Sequence, residues 1–189
     1  MLDIEEIPLE TLHGEKVCLR KIGEADIPAL FQLIVESRDF LVAHLPWPAD
    51  VLSEVDVQAR LESWELQAEM GSGGCWGIFH EGHITGCIIL GWVQKEHHSA
   101  TISYWLGKPF TGMGFATDAL KTLSQFVFET LKLNRLEISV SVNNLPSAAV
   151  ARRVGFQEEG ICRQYERING NFEDHIRFSL LASDYQNHS

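Results

Sequence analysis

The chain has 189 residues with 26 acidic and 15 basic side chains, which gives a formal net charge of −11. This length suits a single domain over residues 1–189, with its core at about 16–185, that folds without disulfide or metal support. An acidic chain is poorly suited to grip nucleic acid or an anionic membrane, because both require broad basic surfaces. A hydrophobic fraction of 45% excludes an intrinsically disordered chain. One local anion-binding site remains compatible with this composition.

The start of the chain and the cysteines favour a cytoplasmic protein. Residues 1–6 contain no basic region followed by an apolar segment, as a secretion signal would. No stretch approaches the ~18 apolar residues of a membrane-spanning helix. The cysteines lack Cys-x-x-Cys spacing, so we expect free thiols at Cys18, Cys75, Cys87 and Cys162. Adjacent strand residues face opposite ways, so His97 and His98 do not predict a metal site.

Apolar spacing and turn residues predict a strand and two helices in the first part of the chain. The strand covers 16–21 and precedes a helix that begins near Asp26, where apolar residues recur at helical spacing. The segment 45–48 contains two prolines and interrupts regular structure. Ser53 and Asp56 have the spacing of a helix N-cap pair, which predicts that a second helix begins there.

Strands predominate in the rest of the sequence. A long helix follows the glycines near 112, and a short helix lies between Pro146 and Gly155. This order predicts an α/β (α+β) domain with a mixed, mostly antiparallel central sheet flanked by helices. The apolar runs predict strands over 75–80, 83–93, 100–106 and 136–142, and a hairpin of 156–166 and 171–181.

Two glycines, Gly112 and Gly114, lie between a predicted strand and the long helix, in a segment that we term the glycine loop (residues 111–117). The first backbone N–H groups of a helix have no partner within it, and the helix dipole favours an anion there. Glycines let a phosphate approach that backbone closely, so this loop is the candidate for the local anion site. A turn that needs glycine but binds no ligand is the alternative.

Two common phosphate-binding motifs do not fit the glycine loop. A Walker A loop requires Gly-x4-Gly-Lys-Ser/Thr, but Pro109 follows Gly107-Lys108, and Ile102 stands at the first glycine position. A dinucleotide-binding fingerprint requires a third glycine where Thr117 stands, and further parallel βα units where a hairpin is predicted. Neither motif therefore explains the two glycines.

The glycine loop and the strand before it resemble motif A of the GNAT superfamily of N-acetyltransferases, Gln/Arg-x-x-Gly-x-Gly/Ala. The strand ends in Tyr104-Trp105-Leu106, and the loop reads Thr111-Gly112-Met113-Gly114-Phe115-Ala116. Thr111 departs from the usual Gln or Arg, which bears on one loop contact. The resemblance implies a GNAT fold whose loop amides hold the pyrophosphate of acetyl-CoA. The implied contacts to acetyl-CoA are Leu106, Thr111, Gly112, Met113, Gly114, Phe115, Ala116 and Thr117.

A second segment resembles motif B of the same family, Asn-x-x-Ser/Ala followed by a short helix that ends in Gly-Phe. It runs from Asn144 through Ser147 to Gly155-Phe156. Within the family the chain is most similar to the RimJ/RimL type, and above all to the ribosomal-protein-serine acetyltransferases. The similarity extends to the Leu-x-Trp-Pro segment at 45–48 and the Asn-Gly turn at 169–170.

The resemblance also implies a catalytic pair. Many members of the superfamily place a tyrosine acid seven residues after the motif asparagine, but Ala151 occupies that position. The RimL type instead has a serine that protonates the leaving thiolate and a strand glutamate that accepts the amine proton through a water. These correspond to Ser147 and Glu166, and the resemblance makes Asn144 and Ser147 coenzyme contacts as well. From the residues alone, Ser147 and Asn144 could serve only the helix start, and Glu166 could pair with a neighbouring arginine.

Several aromatic residues are candidates for the amine side of the site or for the core. We expect Trp47, held between two prolines, and Tyr104 to contact the substrate together with Glu166. A lid packed over the core is the alternative for Trp47. Three further tryptophans lie in predicted strands and are expected in or near the core: Trp76, Trp92 and Trp105.

These observations predict an acetyl-CoA-dependent N-acetyltransferase that transfers acetyl directly to a primary amine without a metal. The subfamily resemblance implies a protein N-terminus as acceptor, specifically on a ribosomal stalk protein, and a homodimer. A small-molecule acetyltransferase acting on a polyamine, an aminoglycoside or an aminoacyl compound is the alternative enzyme, because an acidic surface concentrates cations. A non-catalytic acyl-CoA-binding regulator is the alternative from another class, and Ala151 in place of the usual tyrosine favours it.

Overall fold

The computed structural model describes residues 4–186, which form five α-helices and one eight-stranded sheet. The strands are β1 Leu12–His13, β2 Cys18–Arg20, β3 Gly74–His80, β4 His83–Gln94, β5 Ser99–Leu106, β6 Arg135–Ser141, β7 Gln157–Ile168 and β8 Asn171–Leu181. The helices are α1 Ile27–Leu41, α2 Glu54–Glu69, α3 Phe115–Glu129, α4 Leu145–Val154 and α5 Ala182–Gln186. The sheet order is β1-β2-β3-β4-β5-β6-β8-β7, and every neighbouring pair is antiparallel except β5 and β6. The predicted mixed, mostly antiparallel sheet is confirmed.

The structure differs from the sequence prediction mainly near the two ends of the chain. The predicted strand 16–21 is shortened to β2, because the backbone N–H groups just before it bond to the Asp118 carboxylate instead of a strand. The helix α5 has no counterpart among the predicted elements. Residues 1–3, which begin the segment expected to contain no targeting signal, lie outside the described residues.

Helices cover both faces of the sheet and form two apolar cores. On one face α3 and α4 pack over the central strands, with Leu120 fully buried. On the other face α1 and α2 pack over β3 and β4, with Val57 buried. In β3, Trp76 belongs to the first core, whereas Cys75 and Phe79 belong to the second. A strand covered on both faces reads as a continuous apolar run, which explains the sequence of β3.

Two of the three strand tryptophans are buried, but the expectation for Trp92 is wrong. Trp76 and Trp105 lie in the core, whereas Trp92 is 80% exposed. The register between β4 and β5 shifts between Gly91 and Gln94, and Trp92 has a φ of +49° within this bulge. A bulge re-aims the side chains that it contains, so the apolar run around Trp92 does not bring it into the core.

The middle of the sheet opens where β5 and β6 diverge. In the described residues their parallel ladder joins Ser99–Thr101 to Arg135–Glu137, and the strands then continue separately to Leu106 and Ser141. The glycine loop follows β5, and the turn that begins α4 follows β6. Both sequence motifs therefore lie at the open end of this gap.

Within residues 4–186, no helix is both long and apolar enough to cross a membrane. In the same range, no group of three or more His, Cys, Asp or Glu side chains is placed to hold a metal ion. The cysteines are free thiols. A hydrogen bond to Cys75, together with burial, raises the pKa of Cys87 well above its ordinary value, so this thiol stays protonated and unreactive.

Candidate active site

The glycine loop enters α3 through two left-handed glycines. Gly112 and Gly114 have φ values of +77° and +85°, which other residues adopt only with strain. The Asp118 N–H donates to the Gly114 carbonyl, and the amides before it have no acceptor inside the helix. A Cβ on Gly112 would meet no atom within 4 Å, so the backbone there is open to a ligand. These features fit a phosphate group at the start of α3.

Lys16 brings a basic side chain to the glycine loop. Asp118 is 8% exposed, and its carboxylate accepts the backbone N–H groups of Glu15, Lys16 and Val17. The Lys16 ammonium donates to the Met113 carbonyl at 3.1 Å, which holds it beside the loop. Sequence reasoning missed Lys16, because its place depends on a residue 102 positions away. The only signal in the sequence is an acidic residue, Asp118, among the apolar positions of α3.

A second basic side chain reaches the glycine loop from α4. Arg153 donates to the Thr117 hydroxyl at 2.8 Å, whereas Arg152 points elsewhere and pairs with Glu158 at 2.7 Å. Lys16, from the segment before β2, and Arg153, from α4, thus approach the loop from two separate parts of the chain. Two basic side chains of this acidic protein therefore lie beside the segment that a phosphate would occupy.

A pocket of about 180 Å³ lies between the glycine loop and α4, and we term it the loop-side pocket. Phe115 contributes only backbone to the loop, because its ring is buried against His80 with ring centroids 4.4 Å apart. The pocket brings together six of the residues that the resemblance implies as coenzyme contacts: Leu106, Thr111, Gly112, Ala116, Asn144 and Ser147. The other four do not line it: Met113, Gly114, Phe115 and Thr117.

Thr111 and Asn144 each stabilise a local turn as well as line the loop-side pocket. The Thr111 hydroxyl donates to the Lys108 carbonyl at 2.9 Å, so this short side chain closes its own turn. Asn144 accepts the Ser147 N–H at 3.2 Å and is the N-cap of α4. The structure therefore shows Asn144 as the N-cap of α4, and its contact to the coenzyme stays a prediction.

Tyr104 and Ser147 form a hydroxyl pair across the gap between β5 and α4. The Tyr104 oxygen lies 3.0 Å from the Ser147 Oγ and 3.2 Å from the Ser147 carbonyl oxygen. Burial raises the pKa of Tyr104 to about 12, so this phenol keeps its proton at neutral pH. The pair can therefore deliver a proton through the Ser147 Oγ to a group bound in the loop-side pocket.

A second cavity of about 390 Å³ adjoins this hydroxyl pair, and we term it the sheet-side cleft. It shares Tyr104, Asn144 and Ser147 with the loop-side pocket, together with His44 and Leu45 from the segment after α1. The two cavities therefore meet at the pair, one leading to the glycine loop and the other to β6, β7 and β8. Its other walls include Trp47, Trp64, Trp92, Ser141, Tyr165, Glu166 and His175.

Trp47 belongs both to the sheet-side cleft and to the packing above the second core. It begins a short 3₁₀ helix, and its ring meets Trp105 edge-on with centroids 5.5 Å apart. The Arg60 guanidinium also contacts this residue and lies 5.1 Å from the centre of the Trp47 ring. Trp47 therefore both packs over the second core and lines the cleft, so the two alternatives left open by the sequence are compatible.

A bulge in β7 determines where Glu166 lies. The register between β7 and β8 shifts by two residues before Glu166, which pairs with Glu173. Gln164 has a φ of +51° inside the bulge, and its N–H donates to the Asp174 carboxylate at 2.8 Å. A regular ladder would leave Glu166 nearer the hairpin turn, so the bulge moves it along the sheet into the cleft.

Glu166 faces other ionisable groups of the cleft. Its Oε2 lies 3.6 Å from the Nε2 of His175, which is 4% exposed. Burial, and then the charge of Glu173, raises the pKa of Glu166, while burial lowers the pKa of His175. A carboxylate with a raised pKa is the better proton acceptor, so Glu166 can take a proton from an ammonium group in the cleft.

Comparison with known proteins identifies relatives along most of the chain. Residues 16–157 match the acetyltransferase (GNAT) domain family. The N-acetyltransferase YdaF of Bacillus subtilis is 32% identical over 178 residues, which are 92% of this chain and 95% of YdaF. The ribosomal-protein-serine acetyltransferase of Escherichia coli is 30% identical over 161 residues, 85% of this chain and 90% of its own length. The structure of RimL, the ribosomal L7/L12 alpha-N-protein acetyltransferase in complex with coenzyme A, has a TM-score of 0.83 at 28% identity and covers 94% of this chain and 98% of its own.

The fold and the site together define a class of protein. A mixed sheet that opens beside a glycine loop and a capped short helix is the arrangement of an acyltransferase. The chain belongs to the GNAT acetyltransferase family, since the family match spans more than half of it. It is an N-acetyltransferase, and the acetyl donor of this family is acetyl-CoA. The fold and the family expected from the two motifs are confirmed, whereas the roles of individual residues stay predictions.

Proposed function

We propose that this N-acetyltransferase modifies the N-terminal α-amine of a ribosomal protein, and that its reaction takes place where the two cavities meet. The observation that carries the proposal is the shared wall of the loop-side pocket and the sheet-side cleft at Tyr104 and Ser147. The acetyl donor occupies the loop-side pocket and the amine enters the sheet-side cleft. Direct transfer then requires no intermediate on the protein.

The donor half of the site binds phosphate and supplies a proton. The backbone amides of the glycine loop bind the phosphates, and Lys16 and Arg153 add positive charge on either side. When bound, acetyl-CoA supplies an acetyl thioester beside the hydroxyl pair. Ser147 donates its proton to the departing sulfur, and Tyr104 holds the serine hydroxyl in place through their hydrogen bond. The second proton that the acceptor nitrogen loses, as the amide forms, restores the Ser147 hydroxyl. This pair compensates for the absence of the usual tyrosine at Ala151.

The acceptor half of the site binds and deprotonates an ammonium group. Glu166 accepts the amine proton through a water, and its raised pKa suits that task. The side chains of Trp47 and Trp64 line the same cleft and give it an aromatic wall. A free amine lone pair then points toward the junction of the two cavities.

The relatives support a protein as the acceptor. Two of the proteins compared above are named for the acetylation of ribosomal proteins. The rim of the cleft includes Trp92, which is 80% exposed, so a chain terminus can enter while the rest of a protein stays outside. A ribosomal substrate implies a cytoplasmic enzyme. The homodimer and the absence of nucleic-acid binding stay predictions.

The acceptor is tested with a panel of amines and a thiol-release readout. Peptides with ribosomal N-termini are compared with the same peptides acetylated at the N-terminus, with spermidine and with an aminoglycoside. We expect turnover on free N-termini and none on the acetylated controls, even where these contain lysine. Turnover on spermidine or the aminoglycoside alone would contradict the proposal and favour the small-molecule enzyme. Binding of acetyl-CoA without turnover on any amine would favour the non-catalytic regulator.

The mechanism is tested separately with Ser147→Ala and Glu166→Gln. We expect each variant to lower kcat by about 10² or more, because each removes a proton-transfer group. The Kd of acetyl-CoA should stay nearly unchanged for Glu166→Gln, which lies in the other cavity. Ser99→Ala, at the far end of β5, is the matched control. Unchanged kcat in both site variants would refute the mechanism, even if the peptide panel supports the substrate.

A further inference from the structure

His175 is a buried histidine without a hydrogen-bond partner among the described residues. It is 4% exposed, and neither its Nδ1 nor its Nε2 makes a hydrogen bond within residues 4–186. Buried polar atoms of folded proteins are nearly always satisfied, so such a group requires an explanation. His175 lines the sheet-side cleft. Its unpartnered nitrogens therefore indicate that His175 interacts with another group in this cleft.

The β7 bulge places Glu166 diagonally across from His175. Glu166 pairs directly with Glu173, and His175 lies two residues further along β8 on the same face. The His175 Nε2 and the Glu166 Oε2 are 3.6 Å apart. Hydrogen bonds in active sites are often long before the substrate binds and shorten in the complex. A small movement of the glutamate side chain closes this one.

The packing around His175 fixes the orientation of its ring. Tyr165 stacks on it with ring centroids 4.8 Å apart, and the Arg177 guanidinium lies 5.8 Å from the centre of the Tyr165 ring. On β6 the strand partner of His175 is Ser141, whose hydroxyl donates to Glu173. The ionisable groups around His175 on β7, on β8 and after α1 are Cys162, Tyr165, Glu166, Glu173, Arg177 and His44.

We propose that His175 is a positioning residue for Glu166: its neutral imidazole donates the Nε2–H to the carboxylate and holds it toward the ammonium group of the acceptor. This inference rests on the proposed function, in which Glu166 accepts the amine proton. The donated bond favours the ionised carboxylate and so offsets part of the effect of burial and of Glu173.

Two substitutions separate the N–H donor of His175 from its ring. His175→Gln keeps an N–H near the Nε2 position but loses the ring, whereas His175→Phe keeps a ring against Tyr165 but has no donor. We expect His175→Phe to lower kcat about tenfold or more with little change in the acceptor KM. Its acid limb in kcat/KM should move up by about one pH unit, because the ionised Glu166 has lost a donor. His175→Gln should retain most of the activity and the original limb.

A double-mutant cycle with Glu166→Gln tests whether the two residues act as one unit. Adding His175→Phe to Glu166→Gln should cause no further loss, because the donor then has no carboxylate to position. His83→Phe and His83→Gln, at an exposed histidine that begins β4, are the matched controls. Thermal unfolding of each variant reports on the fold.

The outcomes separate a failure of this inference from a failure of the proposed function. An active His175→Phe with an unchanged pH profile, or an inactive but folded His175→Gln, would assign the ring a packing role and overturn the inference. If His175→Phe does not fold, the pH profile of His175→Gln decides, since a shifted limb there contradicts donation from Nε2. An active Glu166→Gln would instead overturn the proposed function.

Discussion

Tyr104, Ser147 and Glu166 are ordinary polar residues whose reactivity depends on where the fold holds them. The motif B letters place Ser147 three residues after its capping partner Asn144, and this local relation was predictable. Tyr104 meets Ser147 across 43 positions of sequence, so no local pattern reveals the hydroxyl pair. The neighbour of Glu166 on β8, His175, was likewise hidden by the bulge between them. Sequence therefore indicated individual residues of the site, and the structure shows how they are paired.

The raised pKa of Glu166 predicts the position of the acid limb of activity. A proton acceptor must be ionised, so kcat/KM should fall as the pH drops through a pKa above the ordinary 4.5 of a glutamate. Burial is the larger cause and the charge of Glu173 the second. Glu173→Gln should therefore move the acid limb to lower pH, while burial, the larger cause, still holds it above 4.5.

The check is a pH profile of kcat/KM for the parent enzyme, Glu173→Gln and the control Glu96→Gln. Glu96 is exposed in the loop before β5, so removing its charge should leave the limb in place. The amine substrate titrates at higher pH than Glu166 and defines a separate limb, which is the same in all three proteins. A limb in Glu173→Gln at or above that of the parent would contradict the like-charge effect.

At the scale of elements, the first turn of α3 organises both sides of the glycine loop. The Asp118 carboxylate in this turn accepts hydrogen bonds from the backbone N–H groups of residues 15–17. The Thr117 hydroxyl accepts a hydrogen bond from Arg153 of α4. The hairpin of β7 and β8 is held at its tip in a similar way, since the Asn169 side chain donates to the Val42 carbonyl after α1. Segments that are distant in sequence are thus fixed at the site by single polar contacts.

Asp118 should contribute to both stability and donor binding, whereas Lys16 should contribute to binding alone. Asp118→Asn replaces a carboxylate oxygen by a donor that faces backbone N–H groups, so we expect a loss of about 1.5 to 3 kcal/mol in the free energy of unfolding. It should also raise the KM of acetyl-CoA, because the segment that carries Lys16 loses its anchor. Lys16→Met should raise that KM about fivefold, which corresponds to about 1 kcal/mol, with little change in Tm.

These effects are measured by urea unfolding and by the KM of acetyl-CoA at saturating acceptor. Lys121→Met, on α3 one turn beyond the glycine loop, controls for the loss of one positive charge. An unchanged KM in Lys16→Met would contradict the role of its ammonium in phosphate binding. An unchanged unfolding free energy in Asp118→Asn would contradict the role of the carboxylate as an anchor.

Apart from β1 and α5, the regular elements were predictable to within a few residues, but the irregularities that shape the site were not. Apolar periodicity and capping residues determine α2, where Asp56 accepts the Ser53 N–H at 2.8 Å. The bulges of β4 and β7 place Trp92 and Gln164 at positive φ although neither is glycine. A bulge is a property of two paired strands, so the letters of one strand do not specify it. Both bulges border the sheet-side cleft.

At the scale of the whole molecule, a net charge of −11 is compatible with a site for an anionic donor, because the donor site and the acidic side chains at the sheet-side cleft lie in different parts of the chain. In the proposed site, backbone amides with Lys16 and Arg153 receive the phosphates, whereas Glu166 lines the other cavity and Glu173 pairs with it across the strands. The acidic excess therefore acts mainly on the acceptor. It attracts a cationic substrate and repels an acidic one, beyond the contact that the α-amine itself makes.

Salt should therefore change the acceptor KM with a sign that depends on the charge of the acceptor. Two peptides share their first residues and differ only in distal Asp and Glu or distal Lys and Arg, with an uncharged version as the control. Screening is effective beyond about 8 Å at an ionic strength of 0.15 M. As salt rises, the KM of the acidic peptide should fall, that of the basic peptide should rise, and that of the uncharged peptide should stay nearly constant, all at saturating acetyl-CoA. An acidic peptide that binds more weakly as salt rises would contradict repulsion by the net charge and reveal local basic groups that recognise it.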